Sequence, residues 1–204
     1  ILEQKLTQAG MSCLDQTKTN FENLLPFLAN AHGLVIRSRF TIDSAFLSHC
    51  PHLKFIARSG SGLENIDTRV CKELGIRVYN SPEGNRNAVA EHALGMLLSL
   101  FHKIQKADKE LRKGLWNRES NRGEELDGKI VGIIGYGNNG SAFAKKLRGF
   151  DVRVLAYDKY KTCFGDHFVQ ECTLNAILEQ ADVLSFHIPQ NKETRYFFNK
   201  DFVE

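Results

Sequence analysis

The sequence is short of several things, and each shortage narrows what it can encode. No stretch approaches the roughly 18 uninterrupted apolar residues of a membrane-crossing helix, and the first residues lack the basic, apolar, small-residue order of a secretory signal. Cysteines number five (Cys13, Cys50, Cys71, Cys163, Cys172), an odd and widely spaced set without a CxxC pair. They exclude a disulfide or zinc framework and imply reduced thiols in a cytoplasmic protein. No His, Cys and Asp cluster has ligand spacing, so no metal is expected. An excess of one charge is missing too: the net charge is only +3 and both signs are dispersed. Neither nucleic acid nor an anionic membrane is therefore an expected partner. Low-complexity tracts and short repeats are also absent. What remains is an ordinary globular composition, 42% hydrophobic and 25% charged, in 204 residues. That length suits one large domain or two modest ones.

What is present is an alternation. ILEQKLTQAG (1–10) puts Ile1, Leu2 and Leu6 on one helix face ahead of Gly10. GLVIRS (33–38) reads as a strand, IDSAFLSHC (42–50) as a helix and LKFIARSG (53–60) as a strand. NIDTRVCKELG (65–75) is the next helix and IRVYNSP (76–82) the next strand. Such alternation predicts a parallel sheet with helices on both faces. From 88 to 113 the sequence reads as one long helix, apolar nearly all round in its first half and charged in its second. It is either a central core helix or one shared between domains or subunits. NRESNRGEELDG (117–128) then reads as a linker or exposed arm.

A second alternating unit follows: KIVGIIGYG as strand, SAFAKKLRGF as helix, VRVLAYD (152–158) as strand, TLNAILEQAD (173–182) as helix and VLSFHIP (183–189) as strand. Thr173 is a plausible N-cap, and Asn199 in FFNKDFVE is placed to start another helix.

Gly135, Gly137 and Gly140 fit GxGxxG between a strand and an amphipathic helix. The first glycine permits the tight turn, the second lets a pyrophosphate approach the backbone, and the third lets helix and strand pack closely. Free N–H groups and the helix dipole would then face the phosphates. About 20 residues on, the next strand ends in Asp158, whose carboxylate suits the adenosine ribose hydroxyls and would repel a 2′-phosphate. NAD is thus expected over NADP, with Lys159 and Lys161 working against that preference. An S-adenosylmethionine site, which also uses a glycine turn and a strand-end acid, is the main rival. SGSGLEN (59–65) imitates the fingerprint but has Asn65 where the third glycine belongs. It is either a plain turn or a small anion nest at the sheet's C-terminal edge.

Taken together, ARSGSGLENID (57–67), NSPEGNRNAVAEHALGMLL (80–98), GKIVGIIGYGNNG (128–140), VLAYD (154–158) and ADVLSFHIPQNKETRYFFN (181–199) are similar in order and spacing to the D-isomer-specific 2-hydroxyacid dehydrogenases. The chain most resembles the D-3-phosphoglycerate dehydrogenase branch. The resemblance implies an α/β protein with a flavodoxin-like substrate domain over 1–83 and an incomplete Rossmann NAD-binding domain, a doubly wound parallel sheet, over 127–204. The helix and arm at 84–126 would be a dimerisation element, making the protein a homodimer. Ser59, Gly60 and Ser61 would offer backbone amides to a substrate carboxylate, and Ser81 would lie near the nicotinamide. Gly135, Gly137, Asn138, Asn139 and Gly140 would hold the pyrophosphate and Asp158 the ribose, while His187, Ile188 and Pro189 would border the cofactor. Asn139 stands where the family usually carries an apolar residue.

The implied activity is NAD-dependent interconversion of a small D-2-hydroxy acid and its 2-oxo acid, with 3-phosphoglycerate one candidate substrate. The alternative on the same fold is a non-catalytic, NAD-sensing binding protein. A third reading, the S-adenosylhomocysteine hydrolase group, shares the GYG turn and LRGF helix but not the motifs of the first half. The family's catalytic arginine, glutamate and histidine lie beyond the segment matching 181–199. The sequence accordingly reads as an interior piece of a chain of roughly 300 residues, inactive by itself and with no catalytic residue among its own. His187 reads as a structural strand-end histidine, Glu91 and His92 as complements to a helix start, and Arg58 as a salt-bridge partner of Glu64 or Asp67.

Overall fold

The structure, a computed structural model, describes residues 2–202, without the side chain of Asp201. The chain forms two compact units: one holds the residues up to Ser59 together with Leu63–Asn80, the other Gly60–Gly62 and everything from Ser81 on.

In the first unit, α1 (Leu2–Gln8) buries none of its described residues, so the apolar face expected of it is not a core face. Ile1 lies outside the described residues. Helix α2 (Phe21–Leu28) is capped by Asn20, which accepts from Asn23 N–H, and buries Leu24 and Leu28. The sequence pattern does not announce this helix, because Pro26 inside it is a residue that helices ordinarily exclude. Three parallel strands follow in spatial order: β1 (Gly33–Ile36), β2 (Phe55–Arg58) and β3 (Arg77–Asn80). Between them lie α3 (Ser44–Leu47), capped by Asp43, and α4 (Thr68–Glu73), capped by Asp67. Register aligns Leu34, Ile56 and Val78. All three join one core with Leu24, Phe46, Ile66 and Cys71, where Ile56 is fully enclosed. Burying such a side chain is worth about 1.5–3 kcal/mol. On the opposite face Val35 and Tyr79 are 48% and 52% exposed. Among the described residues, helices therefore cover one face of this sheet, not the two that alternation predicts.

The second unit is built around four parallel strands: β4 (Ile130–Ile134), β5 (Arg153–Tyr157), β6 (Val169–Glu171) and β7 (Val183–Phe186). Their spatial order is β6-β5-β4-β7. Helices α5 (Arg86–Phe101) and α7 (Asn138–Lys146) pack one face through Ala90, Leu97 and Phe143, joined by Leu147 just after α7. Ile177 of α8 (Leu174–Gln180) packs against Ile134 and Leu155, joined by Leu184 and Phe186. Both faces are covered here, as parallel strands buried on two sides require. The short edge strand β6 carries only one buried residue, Val169, and has no sequence signal of its own.

The long helix expected over 88–113 is two helices, α5 and α6 (Ile104–Leu111), because Lys103 adopts the left-handed conformation (φ 51°, ψ 31°). The reason is tertiary. The chain returning through Gly123 and Glu124 lies against the end of α5, where Glu124 N–H donates to Phe101 O at 3.1 Å. A side chain on Gly123 would come within 2.8 Å of His102 Cα. The segment 84–126 is consequently divided: α5 and Leu126 belong to the core of the second unit, whereas α6 buries nothing. After β7, a single 3₁₀ turn (Lys200–Phe202) follows Asn199, and Val203 and Glu204 lie outside the described residues. Among the described residues no helix is long and apolar enough to cross a membrane, and no three metal-ligating side chains gather.

Candidate functional site

The glycine turn joins the end of β4 to the start of α7, and each glycine there meets a different requirement. Gly135 takes φ 93°, and a Cβ on it would come within 2.7 Å of His187 O. The turn thus rests directly on the chain leaving β7. Gly140 is buried, and a Cβ there would reach 2.0 Å from Gly135 O, so helix and turn can approach this closely only without a side chain. Gly137 differs: among the described residues, nothing beyond its chain neighbours lies within 4 Å of the place its Cβ would take. The fold does not need a glycine at 137. In the GxGxxG pattern this is the position whose missing Cβ leaves room for a pyrophosphate. Asn138 opens α7, whose dipole and unpaired N–H groups face the same space.

Asp158 stands one residue past β5 and is tied to the turn. Its Oδ2 accepts from Tyr136 N–H at 2.8 Å, and its Oδ1 accepts from Tyr160 and Lys161 N–H at 2.9 and 3.0 Å. A carboxylate offers about four acceptor positions, so capacity remains for a ribose hydroxyl. Lys161 Nζ adds a 3.4 Å contact to Tyr136 O, and the Tyr136 ring stacks on Phe164 with centroids 4.6 Å apart.

His187 lies behind the turn. Its N–H donates to Ile134 O at 2.8 Å, its ring packs on Phe143 with centroids 5.4 Å apart, and its Nε2 is 3.0 Å from Ser185 Oγ. Burial pushes its pKa below the ordinary histidine value, favouring the neutral ring. These contacts agree with a structural part for His187. Ile188 touches the turn as well, since its Cγ2 would lie 2.9 Å from a Cβ on Gly135. Pro189 O accepts from Thr194 Oγ1, and Asn191 Oδ1 accepts from Glu193 and Thr194 N–H, so the loop after β7 is internally fastened. One link was not legible in sequence. Glu193 takes an ion pair from Lys159 and a 2.8 Å hydrogen bond from Tyr160 OH, joining the loops after β5 and β7. More than thirty residues separate the partners, and no local pattern connects them.

Several sequence readings need correction. Ser59 cannot offer its amide to a substrate, because that N–H donates to Ile36 O at 2.8 Å and prolongs the β1–β2 ladder. Gly60, next in the loop, takes φ 153°. Ser81 is joined to this loop, donating N–H to Gly60 O at 2.9 Å. Asn65 is a clamp: its Nδ2 donates to Arg37 O and Phe40 O at 3.1 and 2.8 Å. Arg58 forms no ion pair with Glu64 or Asp67. Asp67 caps α4 instead, and Arg58 Nε is buried without a partner. Glu91 pairs with Lys146 of α7 at 2.8 Å rather than complementing its own helix start. Asn139 buries its Oδ1 without a partner, the cost expected of a polar residue beneath the turn.

The order β6-β5-β4-β7 is the 3-2-1-4 arrangement of a Rossmann half, and the glycine turn sits at its switch point between β4 and β7. The fold and site together define a dinucleotide-binding domain. The family described as "D-isomer specific 2-hydroxyacid dehydrogenase, NAD binding domain" matches residues 94–204. Hydroxypyruvate reductase of Thermotoga maritima is 34% identical over 206 residues, covering 99% of this chain and 67% of that protein. D-3-phosphoglycerate dehydrogenase of Mycobacterium tuberculosis is 36% identical over 210 residues, covering 98% of this chain and 40% of that protein. Among solved structures, D-lactate dehydrogenase from Aquifex aeolicus, complexed with NAD and lactic acid, superposes with a TM-score of 0.83 at 26% identity, covering 98% of this chain and 61% of that one. The chain therefore belongs to the D-isomer-specific 2-hydroxyacid dehydrogenase family, and its cofactor is NAD. It spans about two thirds or less of the relatives it matches.

Two outcomes are expected. Gly137→Ala should change unfolding stability by no more than about 1 kcal/mol yet weaken NADH binding at least about tenfold, whereas Gly140→Ala should destabilise the second unit outright. Urea unfolding alongside a fluorescence titration separates the two; equal loss of stability in both variants contradicts the assignment. His187 makes a pH prediction. Its folded pKa lies below the unfolded value, so the unfolded chain binds the extra proton first. Stability is then complete above about pH 6.5 and falls as pH drops from there to the folded pKa. Melting curves at successive pH values should show a shallower acid loss in His187→Gln than in the native protein.

Proposed function

We propose that the protein interconverts a small D-2-hydroxy acid and the corresponding 2-oxo acid, using NAD. The observation that carries this reading is Gly137, a glycine the fold does not require, facing open space beside a turn tied to Asp158. Relatives named hydroxypyruvate reductase and D-3-phosphoglycerate dehydrogenase support the substrate class. Bound NAD supplies a hydride acceptor or donor for C2 of the acid. The residues of this chain bind and orient. The amides at the start of α7 receive the pyrophosphate, Asp158 receives the adenosine ribose, and Gly60 with Ser61 receives the acid's carboxylate. Asp158→Ala should weaken NADH binding about tenfold or more, as expected for losing a charged acceptor. It should also narrow the preference for NADH over NADPH. Calorimetry with both cofactors, followed by an assay of the whole protein on hydroxypyruvate and pyruvate, tests the reading. Tight NADH binding without turnover of any 2-oxo acid would favour a cofactor-sensing protein instead.

We further propose that the protein is a homodimer joined through α5, α6 and the segment after them. Met96, Leu100, Ile104, Leu111, Leu115 and Trp116 are all about half exposed or more, with Leu100 at 72% and Trp116 at 78%. An apolar surface of this kind marks an association site, and a two-fold axis makes it self-complementary. Light scattering should give twice the 23.1 kDa chain mass, and Leu100→Glu with Trp116→Ser should return the monomer. A monomeric native chain would sink the proposal.

A further inference from the structure

We propose that the first unit carries a second, separate binding site: a groove at the N-terminal end of its sheet that takes a small polyvalent oxyanion, a phosphate ester or a polycarboxylate. The groove has a volume of about 810 Å³ and is lined by His32, His52, Lys54, Phe55, Arg77 and Tyr79, among others.

The topology gathers these side chains from three successive entries into the sheet. His32 precedes β1, His52 and Lys54 precede β2, and Arg77 opens β3. Backbone hydrogen bonds fix the three entries side by side: Lys54 N–H donates to His32 O at 2.9 Å, and Arg77 N–H donates to Lys54 O at 3.0 Å. Register sets Gly33, Phe55 and Arg77 abreast. The Phe55 ring fills the space a side chain at 33 would need, since a Cβ there would lie 2.1 Å from the ring. Gly33 thereby seats an aromatic floor. The rings of His32 and His52 lie nearly parallel, with centroids 6.2 Å apart.

The charge pattern points to the ligand. Two permanent cations and two histidines line the groove, and no carboxylate does. Neither Lys54 nor Arg77 takes part in an ion pair among the described residues, so no carboxylate offsets the positive charge of the groove. Unpaired charges of one sign in a concave surface focus a potential that an anion relieves. A guanidinium, an ammonium and two imidazoles supply directional donors that fit several oxygens at once. The groove lies at the end of β2 opposite Arg58, a rise of about 10 Å away along the strand, so its occupant does not compete for the loop at Ser59–Ser61.

The test is a titration of the 204-residue chain with inorganic pyrophosphate, and separately with citrate, at constant ionic strength so that screening is held fixed. Amide resonances report the location and calorimetry the affinity. Shifts at His32, Lys54, Phe55 and Arg77 are expected, and Lys54→Glu with Arg77→Glu should weaken binding at least about tenfold. The milder pair Lys54→Gln and Arg77→Gln removes charge without inverting it and guards against a folding defect. Preference for pyrophosphate assigns a phosphate ester, and preference for citrate assigns a polycarboxylate. Shifts confined to Gly135–Gly140, affinity unchanged in both variant pairs, or no binding of either anion would overturn the site.

Discussion

The contact on which the nucleotide site depends is the approach of α7 to its own turn. Gly140 lies so near Gly135 O that any side chain would collide, and Gly135 in turn rests on the carbonyl of His187. Three segments (the end of β4, the start of α7 and the exit of β7) are therefore packed backbone to backbone. Buried backbone groups need partners, and here they have them: Gly135 N–H donates to Tyr157 O, and His187 N–H to Ile134 O, both at 2.8 Å. The outcome is a closely packed corner that leaves open space beside Gly137.

Around that corner the polar side chains act first on the protein and then on a ligand. Asp158 accepts three backbone N–H groups and so holds its carboxylate at the turn. Glu193 reaches back to Lys159 and Tyr160 and fastens the two loops to each other. The Lys159–Glu193 ion pair is exposed and worth little in free energy. The contribution of these contacts is positional, in that they hold the loops after β5 and β7 together. His187 is used the other way round. Its ring packs on Phe143 behind the turn, with burial favouring the neutral form.

The first unit follows a different economy. One core, centred on Ile56, holds three short strands together, and its helix starts are capped by Asn20, Asp43 and Asp67. Cationic side chains collect where the strands enter the sheet, while the loop after β2 spends the Ser59 amide on extending the ladder. Asn65, which spoils the glycine pattern of SGSGLEN, is explained by its bonds to Arg37 and Phe40.

By itself the sequence determined the alternation of strands and helices, the glycine turn, Asp158 as its companion and the reading of NAD as cofactor. Each of these is a local requirement: a period, a missing Cβ or an acid at a strand end, all written within a few dozen residues. Only the tertiary structure decided where the long apolar helix breaks, because Gly123 and Glu124 fold back onto Phe101 and His102 from some twenty residues away. It alone showed that Ser59's amide is taken, that Arg58 lacks its expected carboxylate, and that Glu193 spans two loops. The same holds for α2, hidden by Pro26, and for the cationic groove, assembled from three separate strand entries. Contacts between distant residues carry no period or spacing, so they exist only once the chain is packed.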